Sequence, residues 1–139
     1  MDWVAWDQTL ETGNAGMDAD HKQLAEMFGR LRDAIASGAG RACCVEVMDE
    51  IIRHTKTHFE LEQRLMLQHQ YPKMDQHTAE HAMLIRQARN YRNSFDTDPG
   101  AATTAPSRFA DVWLTFHILF SDKELGAFLA RERSAQVGQ

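Results

Sequence analysis

The stretch that decides the fold is residues 45–70, VEVMDEIIRHTKTHFELEQRLMLQHQ. Its apolar side chains recur every three or four residues, which is the period of one face of an α-helix. His58 and Glu62 fall within this apolar stripe, and because they are four residues apart they point the same way. Burying an unpaired imidazole or carboxylate there would cost several kcal/mol, a cost that a bound metal offsets. The stretch therefore predicts a long helix with a polar pair on its buried face.

The same helical period appears in three further segments. The first starts near Asp18 or Asp20, since either carboxylate can accept from the free N–H groups of a first helical turn. It ends at the turn SGAG, residues 37–40. The helix of the deciding stretch runs to about Gln70 and stops at Tyr71-Pro72, because proline cannot continue the helical hydrogen-bond ladder. The third segment begins near Pro72 and ends at DTDPG, residues 96–100.

The fourth segment follows a loop of small residues at 101–107 and is expected to run from about Ser107 to Arg131. Read at α-helical spacing, its apolar residues should face the core: Phe109, Val112, Trp113, Phe116, Phe120, Leu125, Phe128 and Leu129. Helices joined by short loops pack as antiparallel neighbours. We therefore predict an all-α, up-down-up-down four-helix bundle.

The whole chain, 1–139, is expected to form a single domain. Within it we place an N-terminal arm at 1–17, the bundle at 18–132 and a C-terminal tail at 133–139. Trp3 and Trp6 make the arm too aromatic for a free tail, so it is predicted to pack across the bundle.

Charge and composition exclude several classes of protein. The formal net charge of −5 comes without a run of Lys or Arg, which argues against a nucleic-acid or anionic-membrane binder. The sequence has no basic and apolar leader and no stretch of about 18 apolar residues, so we expect a soluble cytoplasmic protein with a small partner. Cys43 and Cys44 are adjacent and match no C-x-x-C spacing, which predicts one buried and one solvated thiol without a defined role.

Seven potential metal donors lie on the core-facing sides of the four predicted helices: His21, His58, Glu62, His77, His81, His117 and Asp122. Imidazole with carboxylate suits iron, copper, zinc or nickel rather than magnesium or calcium, and bridging carboxylates favour paired irons. His117 and Asp122 are five residues apart, about 140° around an α-helix, so they suit a dinuclear cluster better than a single ion. His54 and His69 have no carboxylate partner at matching spacing and are assigned structural or solvated roles.

These segments also carry motifs of a known family. The chain resembles the hemerythrins, specifically the stand-alone bacterial type called bacteriohemerythrin. The likeness rests on GMDADH at 16–21, HFELEQRLM at 58–66, Tyr71-Pro72 followed by His77 and His81, and WLTFHILFSD at 113–122. One departure is Gln63, where the family usually carries a second glutamate that is not a metal ligand.

The resemblance implies a non-haem centre of two irons (Fe²⁺/Fe³⁺) with an oxo or hydroxo bridge. By this likeness His77, His81 and His117 bind one iron, His21 and His58 bind the other, and Glu62 and Asp122 bridge them. Dioxygen would bind at the iron with two imidazoles. The walls of its apolar pocket would be Leu24, Phe59, Trp113, Leu114 and Ile118.

The function that the resemblance implies is reversible dioxygen binding, for storage, transport or delivery to an oxygen-using acceptor protein, rather than catalysis. One alternative is a di-iron peroxidase or ferroxidase, although the sequence lacks the Glu-x-x-His motif of ferritin-like di-iron bundles. Another is oxygen or nitric oxide sensing through a separate partner. Oligomeric state, oxygen affinity and the physiological acceptor do not follow from the sequence.

Overall fold

Four helical rods form the bundle that the periodicity predicts. In the computed structural model they are α1 (Ala15–Ala36), α2 (Arg41–Gln68), α3 (Met74–Thr97), and a π-helix (Asp111–Asp122) that runs directly into α4 (Lys123–Val137). The structure describes residues 8–38, 40–97 and 111–137, with the backbone alone at 111–115 and 136–137. The predicted all-α four-helix bundle is confirmed.

Consecutive helices are neighbours in space: α1 packs on α2, α2 on α3, and α3 on the π-helix. Their buried apolar side chains form two clusters. The larger contains Leu24, Phe28, Leu31, Met48, Ile51, Phe59, Leu84, Ala88, Phe95 and Ile118, and the smaller contains Met17, Met66, Tyr71, Leu125 and Leu129. The short connections at 37–40 and 69–73 make α1, α2 and α3 antiparallel neighbours in this order. Among the described residues, no helix has the length and apolar character needed to cross a membrane.

The first helix begins earlier than its sequence suggests, and the two predicted caps are wrong. Its N-cap is Asn14, whose side-chain oxygen accepts from the N–H of Met17 at 3.0 Å. The Asp18 carboxylate instead accepts from the backbone N–H and the hydroxyl of Thr12, each at 2.8 Å. Asp20 lies further inside the helix. A carboxylate in the first turns can accept from residues before the helix, so acidic residues alone do not mark its start.

Other boundaries lie close to those expected. Helix α1 ends at Ala36, at the predicted turn, and α3 ends at Thr97. Helix α4 continues to Val137 instead of stopping near Arg131, and α1 includes Ala15–Met17, so the bundle extends beyond 18–132 at both ends. The expected start at Ser107 and the arm residues Trp3 and Trp6 lie outside the described residues.

The π-helix corrects one set of core assignments. Phe116 and Phe120, which α-helical spacing places inside, expose 56% and 61% of their surfaces, whereas Ile118 is fully buried. Each π-helical hydrogen bond spans five residues rather than four, so the chain turns less per residue and a different face points inward. Leu125 and Leu129, in the α-helical part, are buried as predicted. The side chains of Val112 and Trp113, and all of Phe109, lie outside the described part.

The segment before α1 packs against the start of α4. Leu10 is buried, and Lys123 Nζ donates to the backbone carbonyl of Thr9 at 2.8 Å. Thr12 passes so close to Gly126 that a Cβ at that glycine would lie 2.8 Å from Thr12 Cβ and closer still to the Thr12 carbonyl oxygen. Gly126 is therefore required by the close approach of two backbones.

Replacing Gly126 by alanine should destabilise the protein by about 1–3 kcal/mol, because the added methyl overlaps the Thr12 backbone. The matched control is Gly29→Ala in the interior of α1, where a Cβ meets no described atom within 4 Å. This control should instead gain about 0.5–1 kcal/mol from reduced backbone entropy. Urea unfolding of both variants measures the difference, and equal stabilities would contradict the close approach.

Candidate metal centre

The seven predicted donor side chains meet in the middle of the bundle. Each exposes at most 5% of its surface. They come from every rod: His21 from α1, the pair His58 and Glu62 from α2, His77 and His81 from α3, and His117 and Asp122 from the π-helix. Burial of so many polar groups at one level of the core is costly unless they pair with one another or with a cation.

These donors form two overlapping groups, and within each group the donor atoms lie within 4.8 Å of one another. One group is Glu62, His77, His81, His117 and Asp122; the other is His21, His58, Glu62 and Asp122. We call them the three-histidine group and the two-histidine group. The two carboxylates belong to both groups, which is the arrangement that two neighbouring cations with shared bridging ligands require.

Glu62 divides its two oxygens between the groups. Its Oε1 lies 2.9 Å from the Nε2 atoms of both His77 and His81. Its Oε2 lies 2.5 Å from His58 Nε2 and 3.5 Å from His21 Nε2. The carboxylate therefore spans the centre, with one oxygen facing each histidine set.

Asp122 repeats this division from the opposite side of the bundle. Its Oδ1 lies 3.1 Å from His77 Nε2 and 3.2 Å from His117 Nε2. Its Oδ2 lies 3.0 Å from His21 Nε2. Both carboxylates thus present one oxygen to each group.

The π-helix explains how His117 and Asp122 reach the same centre. In an α-helix, residues five apart would be about 140° apart around the axis. In a π-helix the backbone hydrogen bond itself spans five residues, so position i+5 returns close to position i. The offset of about 140° predicted from the sequence is therefore wrong, because the π-helix places both donors on a single face.

The histidines and carboxylates stabilise each other's charged forms. Burial opposes protonation of His58 and His77, but hydrogen bonds with neighbouring carboxylates outweigh it and raise the pKa of each to about 9. At His81 burial prevails and lowers the pKa. Burial would raise the pKa of Glu62, yet hydrogen bonds from the surrounding histidines hold it well below its ordinary value. The centre therefore favours positive charge beside its carboxylates, which protons or metal cations can supply.

Two further carboxylates contact the outer ring nitrogens of the donors. Asp20 Oδ2 accepts from His58 Nδ1 at 3.1 Å, and Glu80 Oε1 lies 3.4 Å from His117 Nδ1. Ser121 Oγ lies 2.7 and 2.9 Å from the two oxygens of Glu80. From the sequence Asp20 is predicted only as a helix cap, and Glu80 and Ser121 are not predicted to contact the donors. The sequence did contain a sign of both carboxylates, because Asp20 directly precedes His21 and Glu80 directly precedes His81.

The remaining histidines and both cysteines lie outside the two donor groups. His54 is half-buried, and its Nε2 donates to the backbone carbonyl of Asp20 at 3.0 Å. His69 caps the C-terminal end of α2. Cys44 is buried and Cys43 is half-buried, and both thiols are free.

Three of the five predicted pocket residues lie in the apolar core beside the centre. Leu24 and Ile118 are fully buried, and Phe59 stacks on the ring of His81 with the ring centres 3.6 Å apart. The side chains of Trp113 and Leu114 lie outside the described part. Apolar side chains from α1, α2 and the π-helix therefore adjoin the histidine donors.

Comparison with known proteins identifies the family of this chain. Residues 12–129 match the family model of the hemerythrin HHE cation binding domain. The chain belongs to the hemerythrin family. It is 30% identical over 122 residues to the bacteriohemerythrin of Pseudomonas aeruginosa (strain LESB58), a match covering 88% of this chain and 78% of that one.

Other hemerythrins match over almost the full length. The bacteriohemerythrin of Methylococcus capsulatus (strain Bath) is 28% identical over 130 residues, covering 94% of this chain and 97% of that one. A crystal structure of a hemerythrin mutant superposes with a TM-score of 0.82 and 26% sequence identity, covering 93% and 98% of the two chains. The hemerythrin fold and the predicted family are therefore both confirmed.

Proposed function

We propose that this protein binds dioxygen reversibly at a non-haem di-iron centre, as an oxygen storage, transport or delivery protein. Membership of the hemerythrin family supports a di-iron oxygen-binding protein. The observation that carries the proposal is that Glu62 and Asp122 each place one oxygen in both donor groups. A pair of ions with common carboxylate bridges accounts for that division, whereas a single ion does not.

The donor set fits iron. Imidazole nitrogens together with carboxylate oxygens suit a first-row transition metal, and no cysteine lies in either group. His77, His81 and His117 would hold one iron, His21 and His58 the other, and two ferrous ions supply the two electrons that oxygen binding requires. The two-histidine group offers fewer protein donors, so it leaves more of an ion's coordination sphere free for an added ligand.

The apolar neighbours favour binding over catalysis. Leu24, Phe59 and Ile118 bring neither a proton donor nor a charge to the centre, and their burial excludes water. By excluding water, these residues would limit the supply of protons that accompanies irreversible oxidation of ferrous iron. We therefore assign these three residues to the wall of the oxygen site. The resemblance to hemerythrins adds Trp113 and Leu114 to this proposal.

Optical oxygenation tests the function. Anaerobic protein loaded with ferrous iron should gain a strong visible absorption on exposure to oxygen and lose it again under vacuum, over repeated cycles. Permanent conversion to a ferric form without that absorption would contradict reversible binding. Steady consumption of peroxide or ferrous iron faster than autoxidation would point instead to an enzyme.

A matched pair of core truncations tests the wall. Leu24 and Leu31 are both fully buried in α1, but Leu24 lies one turn from His21 and Leu31 lies further along the helix. Each change to alanine should cost about 2–5 kcal/mol of stability. Only Leu24→Ala should also speed autoxidation, followed as decay of the oxygenated absorption, because it admits water beside the centre. Equal autoxidation rates in both variants would contradict the assignment of Leu24.

A further inference from the structure

Asp20 and Glu80, the carboxylates that contact the donors from outside, occupy equivalent positions in two pairs of helices. One pair is α1 with α2, and the other is α3 with the π-helix. Asp20 precedes His21 in α1 and reaches across to His58 in α2. Glu80 precedes His81 in α3 and reaches across to His117 in the π-helix. Each pair of helices contains an acid-His dipeptide whose acid contacts a donor histidine on the next helix. Asp20 therefore contacts a histidine of the two-histidine group, and Glu80 contacts a histidine of the three-histidine group.

The two contacts differ in how they are held. Glu80 lies within hydrogen-bonding distance of the Ser121 hydroxyl through both of its oxygens. Ser121 directly precedes Asp122, so this bridge ties α3 to the π-helix next to two predicted donors. The side chains of Asp20 and Glu80 are 31% and 33% exposed, so either can be changed without opening a cavity in the core.

A carboxylate at the outer ring nitrogen has a defined effect on a metal ligand. When Nδ1–H donates to a carboxylate, the lone pair of Nε2 is directed towards the metal, the ring plane is fixed, and the imidazole becomes a stronger donor. His117 has this arrangement, with Nδ1 facing Glu80 and Nε2 on the inner side, 3.2 Å from Asp122 Oδ1. His58 has it too, with Nδ1 facing Asp20 and Nε2 facing Glu62.

We propose that Glu80, held by Ser121, is a positioning residue that acts through His117 on the ion of the three-histidine group, and that Asp20 acts likewise through His58 on the other ion. This inference rests on the proposed dinuclear site. It does not depend on oxygen binding, so zinc can serve as the probe and the two proposals can fail separately.

The test is the release of Zn²⁺ from loaded protein to a chromogenic chelator, followed as two kinetic phases. Glu80→Gln should speed one phase about 10–100-fold, and Asp20→Asn should speed the other by a similar factor. The control Glu26→Gln removes an exposed carboxylate elsewhere on α1 and should leave both phases unchanged.

A double-mutant cycle shows whether Glu80 acts through His117. His117→Ala weakens the three-histidine site, so this variant is loaded with excess Zn²⁺ to fill it. In this background Glu80→Gln should cause no further acceleration of either phase, whereas Asp20→Asn should keep its full effect. Ser121→Ala should speed the same phase as Glu80→Gln by a smaller factor. A merely structural role would speed both phases together and would persist in the His117→Ala background.

Three results would overturn the proposal: release from Glu80→Gln that matches the Glu26→Gln control, equal acceleration of both phases by one variant, or an undiminished Glu80→Gln effect without His117. If Glu80→Gln folds poorly, Ser121→Ala is judged by the same criteria. Selective zinc release in a protein that fails to oxygenate reversibly would preserve this inference while contradicting the proposed function.

Discussion

Replacing Glu62 by alanine should remove nearly all bound iron. Glu62 places one oxygen against His77 and His81 and the other against His58 and His21, so its loss removes a donor from both groups at once. We expect the bound iron to fall to about a tenth of the wild-type amount or less. Even the loss of a residue that only hydrogen-bonds to a metal ligand lowers metal affinity about 10–100-fold. Iron analysis after anaerobic loading and desalting measures this directly.

The same change should destabilise the metal-free protein by about 3 kcal/mol, because the imidazoles that surround Glu62 lose their buried counter-charge. Glu60→Ala is the matched control, since Glu60 is exposed and lies two positions away in α2. The control should keep full iron content and near-normal stability. A Glu62→Ala protein that retained either ion at wild-type occupancy would show that the carboxylate is not shared.

Replacing His77 by alanine should release one ion and leave the other. His77 Nε2 lies 2.9 Å from Glu62 Oε1 and 3.1 Å from Asp122 Oδ1, on the side of the three-histidine group. We expect iron content to fall to about half of wild type, because a missing imidazole weakens that site by at least about 10–100-fold. A 100-fold weaker site also forfeits about 2.7 kcal/mol of ligand-linked stability.

His69→Ala is the control for this prediction, because His69 lies at the end of α2 and outside both donor groups. Thermal unfolding with and without a chelator separates the metal contribution from any structural one. The chelator should lower the melting temperature of the control much more than that of His77→Ala. Full iron content in His77→Ala would remove His77 from the donor set.

Much of the fold could be predicted from the sequence because the helices are amphipathic and the connections at 37–40 and 69–73 are short. The stripes from Leu24 to Leu31 and from Met48 to Met66 both lie in the core, and the turn after Ala36 ends α1 as expected. The donors could be found for the same reason. A histidine or carboxylate inside an apolar stripe must face the core, so His58 and Glu62 point inward together.

The π-helix could not be predicted, and its consequences account for the main errors. The sequence pattern is interpreted with the α-helical period of about 3.6 residues per turn. This period places Phe116 and Phe120 in the core and puts His117 and Asp122 on different faces. A backbone that bonds five residues apart reverses both results. Whether this segment forms an α-helix or a π-helix depends on its contacts with the rest of the bundle. One such contact is the hydrogen bond between Ser121 and Glu80 of α3.

The outer carboxylates show a second limit of the sequence. Asp20 and Glu80 act across helices, through His58 and His117, and contacts between helices depend on how the rods are rotated and aligned. The N-cap was misassigned for a related reason. Asn14, Asp18 and Asp20 are all good capping residues, and only the course of the preceding segment past Thr12 selects Asn14.

The most direct test of a shared, dinuclear centre is anomalous X-ray diffraction at the iron edge from crystals of anaerobically loaded protein. We expect two peaks within the bundle, one beside His77, His81 and His117 and the other beside His21 and His58, with the carboxylates of Glu62 and Asp122 bridging them. A single peak, or two peaks that share neither carboxylate, would contradict this expectation.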